Sequence, residues 1–140
     1  MIIEIDTKFK NRNINSAEKA YMVFMAVFET LDEVDRDKEH FYVLGLKKNF
    51  HLKYLDLVSV GTLTGTLVHA REVFRRAIVN GSDSIIIAHN HPSGNMRTSI
   101  ADDTITKSLK EAGKIIGIEI LDHIIFCEDE FYSYAENGCI

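Results

Sequence analysis

The sequence predicts an α/β domain in which helices flank a mixed β-sheet. Three observations lead there. Apolar runs of strand length recur at residues 41–46, 52–60 and 84–89, each bounded by turn-forming or charged residues. Segments with apolar residues at helical spacing stand between or beside them. The links are of two kinds, one hairpin-like and one βαβ-like, and together they require antiparallel and parallel pairs in one sheet. With 140 residues, 46 % of them apolar, the chain can bury a core of its own.

Each element follows in order. Residues 2–6 are expected to form a short strand. Asn15 or Ser16 is placed to cap a helix running to about Leu31, with Ala20, Val23, Phe24, Val27 and Phe28 on one face. Glu33 to Lys38 reads as a charged connector. Phe41 to Leu46 and Leu52 to Val60 read as strands joined through Lys47-Lys48-Asn49-Phe50. Gly61 to Thr66 is a turn-rich loop, and Val68 to Asn80 a helix closed near Gly81. Ser84-Ile85-Ile86-Ile87-Ala88-His89 is β-branched and reads as a buried strand. A helix is expected from Ile100 to about Ala112, with Gly113 near its end. Ile115 to Phe126 is a long apolar run with room for one or two strands, and Phe131 to Ala135 is a last short strand.

No repeat, low-complexity tract or linker-like stretch divides the chain, so residues 1–140 are read as a single domain. The net charge of −5, from 16 basic and 21 acidic side chains, argues against a protein whose main work is neutralising phosphates. Arg71, Arg75 and Arg76, and again Lys107, Lys110 and Lys114, could make local basic patches, but solvated helix faces explain them as well. Cys127 and Cys139 form no metal-type pair and fit a reducing compartment. Met1 to Asp6 lacks the pattern of a signal peptide, and Ala20 to Phe28 is too short to span a bilayer. A cytoplasmic protein without membrane contact is expected.

The chemistry concentrates in His89-Asn90-His91-Pro92-Ser93-Gly94, followed by Ser99-Ile100-Ala101-Asp102. Positions i and i+2 of a strand face the same side, so His89 and His91 can aim at one point. Two imidazoles and one carboxylate make a three-ligand zinc set that leaves a fourth position open, as catalytic zinc requires. The bland alternative is a pair of polar side chains at a strand end, satisfied by neighbours. The letters His-Asn-His do not make an HNH nuclease, whose signature residues are spread over a ββα unit. A zinc deaminase would need His-x-Glu with a later Pro-Cys-x-x-Cys, and neither is present. Ser99-x-x-Asp102 is also a capping box at a helix start, and Asp103 is a neighbouring rival carboxylate.

The full pattern, His-x-His-Pro, six residues, Ser, two residues, Asp, resembles the JAMM motif of the MPN/JAB metalloprotease-like superfamily. The flanks Leu67-Val68-His69-Ala70-Arg71-Glu72-Val73-Phe74, Ala88 to Gly94, and Glu111-Ala112-Gly113-Lys114 through Leu121-Asp122-His123 look like its RadC branch. The resemblance covers roughly residues 39–138. RadC-like chains usually have Pro where Ala70 stands, and a loop richer in Pro and Asp than Asn95-Met96-Arg97-Thr98.

The resemblance implies a three-layer α/β/α sandwich of cytidine-deaminase-like architecture. It implies zinc held by His89, His91 and Asp102, and hydrolysis of a peptide or isopeptide amide. It selects Asp102 over Asp103, and gives Ser99 the stabilisation of the tetrahedral intermediate. JAMM enzymes take their general base from a Glu just before the first core strand, which is where Glu39 stands. On residues alone Glu39 is one more acid in a charged stretch; Glu72, the other candidate, lies inside a helix and reads as structural. His123, in an apolar run, is expected to be a satisfied, partly buried histidine, and His40, His51 and His69 ordinary. The branch carries the label "DNA repair protein", and its larger members have an N-terminal helix-hairpin-helix region. About 35 residues precede the match here, too few for that region, so any DNA binding is expected to be weak. The alternatives to a hydrolase are a DNA-repair-associated or interaction module and a metal-dependent nuclease. The expected partner is a protein or peptide substrate, and self-association is left open.

Overall fold

The computed structural model of the chain describes residues 1–10, 12–61 and 68–140. Most of the expected loop from Gly61 to Thr66, together with Leu67, lies outside the described residues. The strands are β1 (Ile2–Ile3), β2 (Glu39–Leu46), β3 (Leu52–Gly61), β4 (Ser84–Asn90), β5 (Glu119–Phe126) and β6 (Phe131–Ser133). The helices are α1 (Ala17–Phe28), α2 (Glu33–Arg36), α3 (Ala70–Asn80) and α4 (Ile100–Ile116). The sheet runs in the order β1-β3-β2-β4-β5-β6. All neighbouring pairs are antiparallel except β4–β5, which is parallel and is connected through α4. The mixed sheet expected from the sequence is therefore present.

Strand alternation builds two cores. Tyr42, Leu44, Ile86, Ala88, Ile124 and Phe126 pack against Phe24 and Phe28 of α1. Phe41, Val43, Ile85, Ile87 and Ile120 pack against Val73 and Phe74 of α3 and Leu109 of α4. Helices cover both faces, which makes the three-layer sandwich. The β4–β5 register carries one irregularity. Ile85 pairs with Ile120 but Ile86 pairs with Asp122, so Leu121 is an extra residue in β5. Such a bulge re-aims every side chain beyond it. Ile120 faces the α3/α4 layer, while Ile124 and Phe126 face α1. His123, paired with Ile87, consequently turns to the α3/α4 face.

Several boundaries differ from expectation for physical reasons. Of the two expected caps, Ser16 closes the start of α1, its side chain accepting the Lys19 N–H at 3.2 Å, but the helix stops at Phe28 rather than Leu31. The charged connector contains the single-turn helix α2, capped by Asp32. The expected end of α4 near Ala112 is wrong: the helix runs to Ile116 and closes at Gly117, in the left-handed region at φ 86°. Gly113 is instead a point of close approach, where a Cβ would come within 2.5 Å of the Ile118 carbonyl oxygen. Ile115 and Ile116 thus belong to α4, and the apolar run beyond them supplies one strand, not two. Cys127 and Cys139 are both free thiols. Among the described residues no helix is long and apolar enough to cross a membrane.

Candidate metal centre

β4 is hydrogen-bonded on both edges and is buried along its whole length. It delivers His89 on the same face as Ile85 and Ile87, with the imidazole stacked on Phe41 at 6.2 Å between ring centroids and 8° between planes. His91 stands just past the strand end, yet its N–H still donates to the Phe126 carbonyl at 3.0 Å, keeping the backbone extended. The two rings therefore lie together, their Nε2 atoms 3.1 Å apart. His91 Nδ1 is 2.7 Å from the Asn95 carbonyl oxygen. A carbonyl only accepts, so Nδ1 carries a proton, and in the neutral ring Nε2 offers its lone pair.

Asp102 arrives on the first turn of α4. Ser99 Oγ accepts the Asp102 N–H at 3.0 Å, and Asp102 Oδ2 accepts the Ser99 N–H at 2.9 Å, so the expected capping box forms in both directions. The same carboxylate approaches both histidines: Oδ1 is 3.2 Å from His89 Nε2, and Oδ2 is 3.2 Å from His91 Nε2. Cap and convergent carboxylate are one residue. Its rival Asp103 accepts the Tyr134 hydroxyl at 2.7 Å and is committed there.

The donor set suits a metal ion. One donor atom from each of His89, His91 and Asp102 lies within 4.8 Å of the others. Zinc with bonds of about 2.0–2.1 Å has a tetrahedral edge of about 3.3 Å. The His89–His91 Nε2 separation of 3.1 Å is close to that edge, and Asp102 turns one oxygen to each ring, Oδ1 to His89 and Oδ2 to His91, both at 3.2 Å. Lone pairs facing one another this closely need a cation or a proton between them. Burial alone would raise the Asp102 carboxyl, but hydrogen bonds to His89 and His91, the His89 charge and the Ser99 N–H together hold it well below the usual carboxylate range. Burial works to lower the His91 pKa, but the Asp102 carboxylate, the Asn95 carbonyl and the Glu39 charge outweigh it and raise it.

Glu39 opens β2 and lines the same cleft as His89, His91, Ser99 and Asp102, a space of about 1240 Å³ whose other wall includes Phe41, Val68, Pro92 and Ile105. Burial raises its pKa; His89 and His91 oppose the rise, and Asp102 adds to it. Glu72 is on the outer side of α3, paired with Arg75 at 3.0 Å, and does not line the cleft. Ser99 does line it, with its hydroxyl oxygen occupied by the cap.

Two residues at the centre are not anticipated from sequence. Asn90, between the histidines, points to the other face of β4. Its Oδ1 accepts the His40 N–H at 2.7 Å and its Nδ2 donates to the Lys38 carbonyl at 3.0 Å. His123 is not partly exposed, as expected, but wholly buried, with Nε2 2.8 Å from His89 Nδ1. Burial, with the His89 charge, pushes its pKa well down. The one sequence signal for it is a polar pair, Asp122-His123, inside an apolar strand.

Comparison with known proteins agrees with this architecture. The family model described as "RadC-like JAB domain" matches residues 14–139. It thus takes in α1, which the motifs at roughly 39–138 left outside. A UPF0758 protein of Chlorobium chlorochromatii is 38 % identical over 135 residues, covering 93 % of this chain and 61 % of the relative. One from Pelodictyon phaeoclathratiforme is 45 % identical over 106 residues, covering 76 % and 48 %. One from Alkaliphilus oremlandii is 41 % identical over 138 residues, covering 99 % and 57 %. The chain spans about half the length of the curated relatives it matches. Matched along nine-tenths of its length, with the centre inside the matched span, the chain belongs to the RadC-like JAB domain family.

Proposed function

We propose that this domain is a zinc-dependent hydrolase of the JAMM class that cleaves peptide or isopeptide amide bonds. The observation that carries the reading is the convergence of the His89, His91 and Asp102 donor atoms on one point with Glu39 in the same cleft. His89, His91 and Asp102 would hold the ion. Zinc, when bound, supplies a Lewis acid that polarises the scissile carbonyl and makes water acidic enough to ionise near neutral pH. Glu39 takes the proton from the attacking water and returns it to the leaving amine. Burial, which raises its pKa, makes the carboxyl a better holder of that proton than an exposed glutamate. The Ser99 hydroxyl, held at the helix start, donates toward the developing oxyanion. The apolar wall of Phe41, Val68, Pro92 and Ile105 excludes water from one side and suits a protein or peptide substrate. Two free thiols suit work in a reducing cytoplasm.

The test is elemental analysis after reconstitution near neutral pH, with peptidase, isopeptidase and nuclease assays run with and without a chelator. About one zinc per chain and chelator-sensitive amide cleavage are expected. Loss of zinc in both His89→Ala and Asp102→Ala is expected with it. Iron in place of zinc, or no uptake, overturns the reading. Chelator-sensitive nuclease activity without amide cleavage transfers the same ligands to a nuclease. Submicromolar DNA affinity that survives physiological salt favours the DNA-associated module.

A further inference from the structure

Behind the three convergent side chains lies a buried file of groups that the proposed reaction does not use. His123 Nε2 is 2.8 Å from His89 Nδ1. His123 Nδ1 is 2.5 Å from Thr106 Oγ1, and Thr106 Oγ1 is 2.6 Å from the Asp102 carbonyl oxygen. The file starts at a ligand side chain and ends on the backbone of another ligand.

Its polarity follows from counting protons. The Asp102 carbonyl cannot donate, so the contact with Thr106 must hold the threonine's only hydroxyl proton. Thr106 Oγ1 is then an acceptor toward His123, and His123 Nδ1 carries the proton of that contact. A second proton on Nε2 would place a charge on a ring with 0 % exposure and no carboxylate in contact. His123 Nε2 is therefore an acceptor, and His89 Nδ1 donates to it. In the neutral His89 ring that leaves Nε2 without a proton, on the side facing Asp102 and His91. The ring that does this is itself clamped, stacked on Tyr134 at 4.9 Å and 10°, with the Tyr134 hydroxyl bonded to Asp103.

We propose that His123 and Thr106 are positioning residues that hold His89 in the one tautomer able to bind a metal through Nε2. The inference rests on the zinc-site reading above. Second-layer groups of this kind typically change metal affinity by about 10- to 100-fold.

The experiment uses the purified chain and zinc ions. Nitrogen-15 NMR of the zinc-loaded wild type should find His123 protonated at Nδ1 only. It should also find a through-hydrogen-bond coupling between His89 Nδ1 and His123 Nε2. Zinc affinity, measured by competition with a chelator, should fall about 10- to 100-fold in His123→Phe. It should fall less, in the same direction, in Thr106→Val, and return in Thr106→Ser, which restores the hydroxyl. A merely structural role for Thr106 would not give that rescue. A wild type that takes up no zinc overturns the metal site and this inference together. A wild type that binds zinc with His123 protonated at Nε2 overturns the inference alone. So does unchanged affinity in Thr106→Val. If His123→Phe does not fold, the wild-type spectrum and the Thr106 pair decide.

Discussion

Asn90 brackets Glu39. Its side chain accepts from the residue after Glu39 and donates to the residue before it, at 2.7 and 3.0 Å. The backbone ladder between β2 and β4 runs no further than Phe41–His89, so this amide continues it where the strands part. The middle letter of the His-Asn-His run thereby ties the candidate base to the candidate ligands. Asn90→Ala leaves the buried His40 N–H without a partner, the Lys38 carbonyl keeping its contact with His40 Nδ1 at 3.0 Å, which costs about 1–3 kcal/mol. The denaturant midpoint should drop at unchanged slope while zinc is retained. An unaltered midpoint would show that the bracket is not structural.

Glu39→Gln should keep fold and zinc, because the amide fills the same space and the ligands are other residues. Amide cleavage should fall by roughly two to four orders of magnitude, the usual contribution of a positioned acid–base group. Glu72→Gln, which alters only an exposed pair with Arg75, is the control. Full activity in Glu39→Gln with loss in Glu72→Gln would move the base to α3.

Zinc affinity should weaken as pH falls. The His91 pKa is raised above 6.5, so its proton competes with the metal up to a higher pH than on an ordinary histidine. Below that folded value each pH unit should cost roughly tenfold in affinity for one displaced proton. The rate should rise with pH through the Glu39 pKa, which lies above 4.5, because only the carboxylate accepts a proton. Titration calorimetry at several pH values checks the first slope. Affinity that is flat from mildly acidic to neutral pH contradicts it.

Ser99 has a cap role and a proposed oxyanion role, and two substitutions part them. Ser99→Ala removes both, and losing the cap alone costs typically about 1 kcal/mol. Ser99→Gly is a tolerated cap costing only a few tenths of a kcal/mol, yet it has no hydroxyl. If the hydroxyl meets the oxyanion, Ser99→Gly should be nearly as stable as wild type and about 10²–10³-fold slower. A Ser99→Gly protein at full rate leaves Ser99 a cap alone.

What could be read from sequence was what is local. The β-branched run ending in His89 and the Ser99–Asp102 box each lie within a few residues, and both form as expected. The turn to Glu39 is different. Its charge pattern marks it only as an acid in a connector, and its place in the cleft comes from pairing across β2 and β4. Resemblance, not periodicity, pointed to it. Asn90 acts across 50 residues and His123 across 34, and no local spacing encodes either contact. Gly113 misled for a related reason. A glycine required by packing against Ile118 and Phe74 looks, in sequence, like a glycine that ends a helix.

Leu121 carries information by being there at all. Before it, even-numbered residues of β5 look toward α3 and α4; after it, odd-numbered ones do. Were β5 to pair regularly with every residue kept and no bulge, everything downstream would exchange sides. His123 would swing under α1, and Asp122 would take its place opposite Ile87. Removing Leu121 itself would leave that sidedness intact and straighten the strand. The centre is therefore written partly in parity, a property no single side chain possesses. A sheet that borrowed His123 by its distance from Ile120 alone, without the bulge, would point it to the wrong layer.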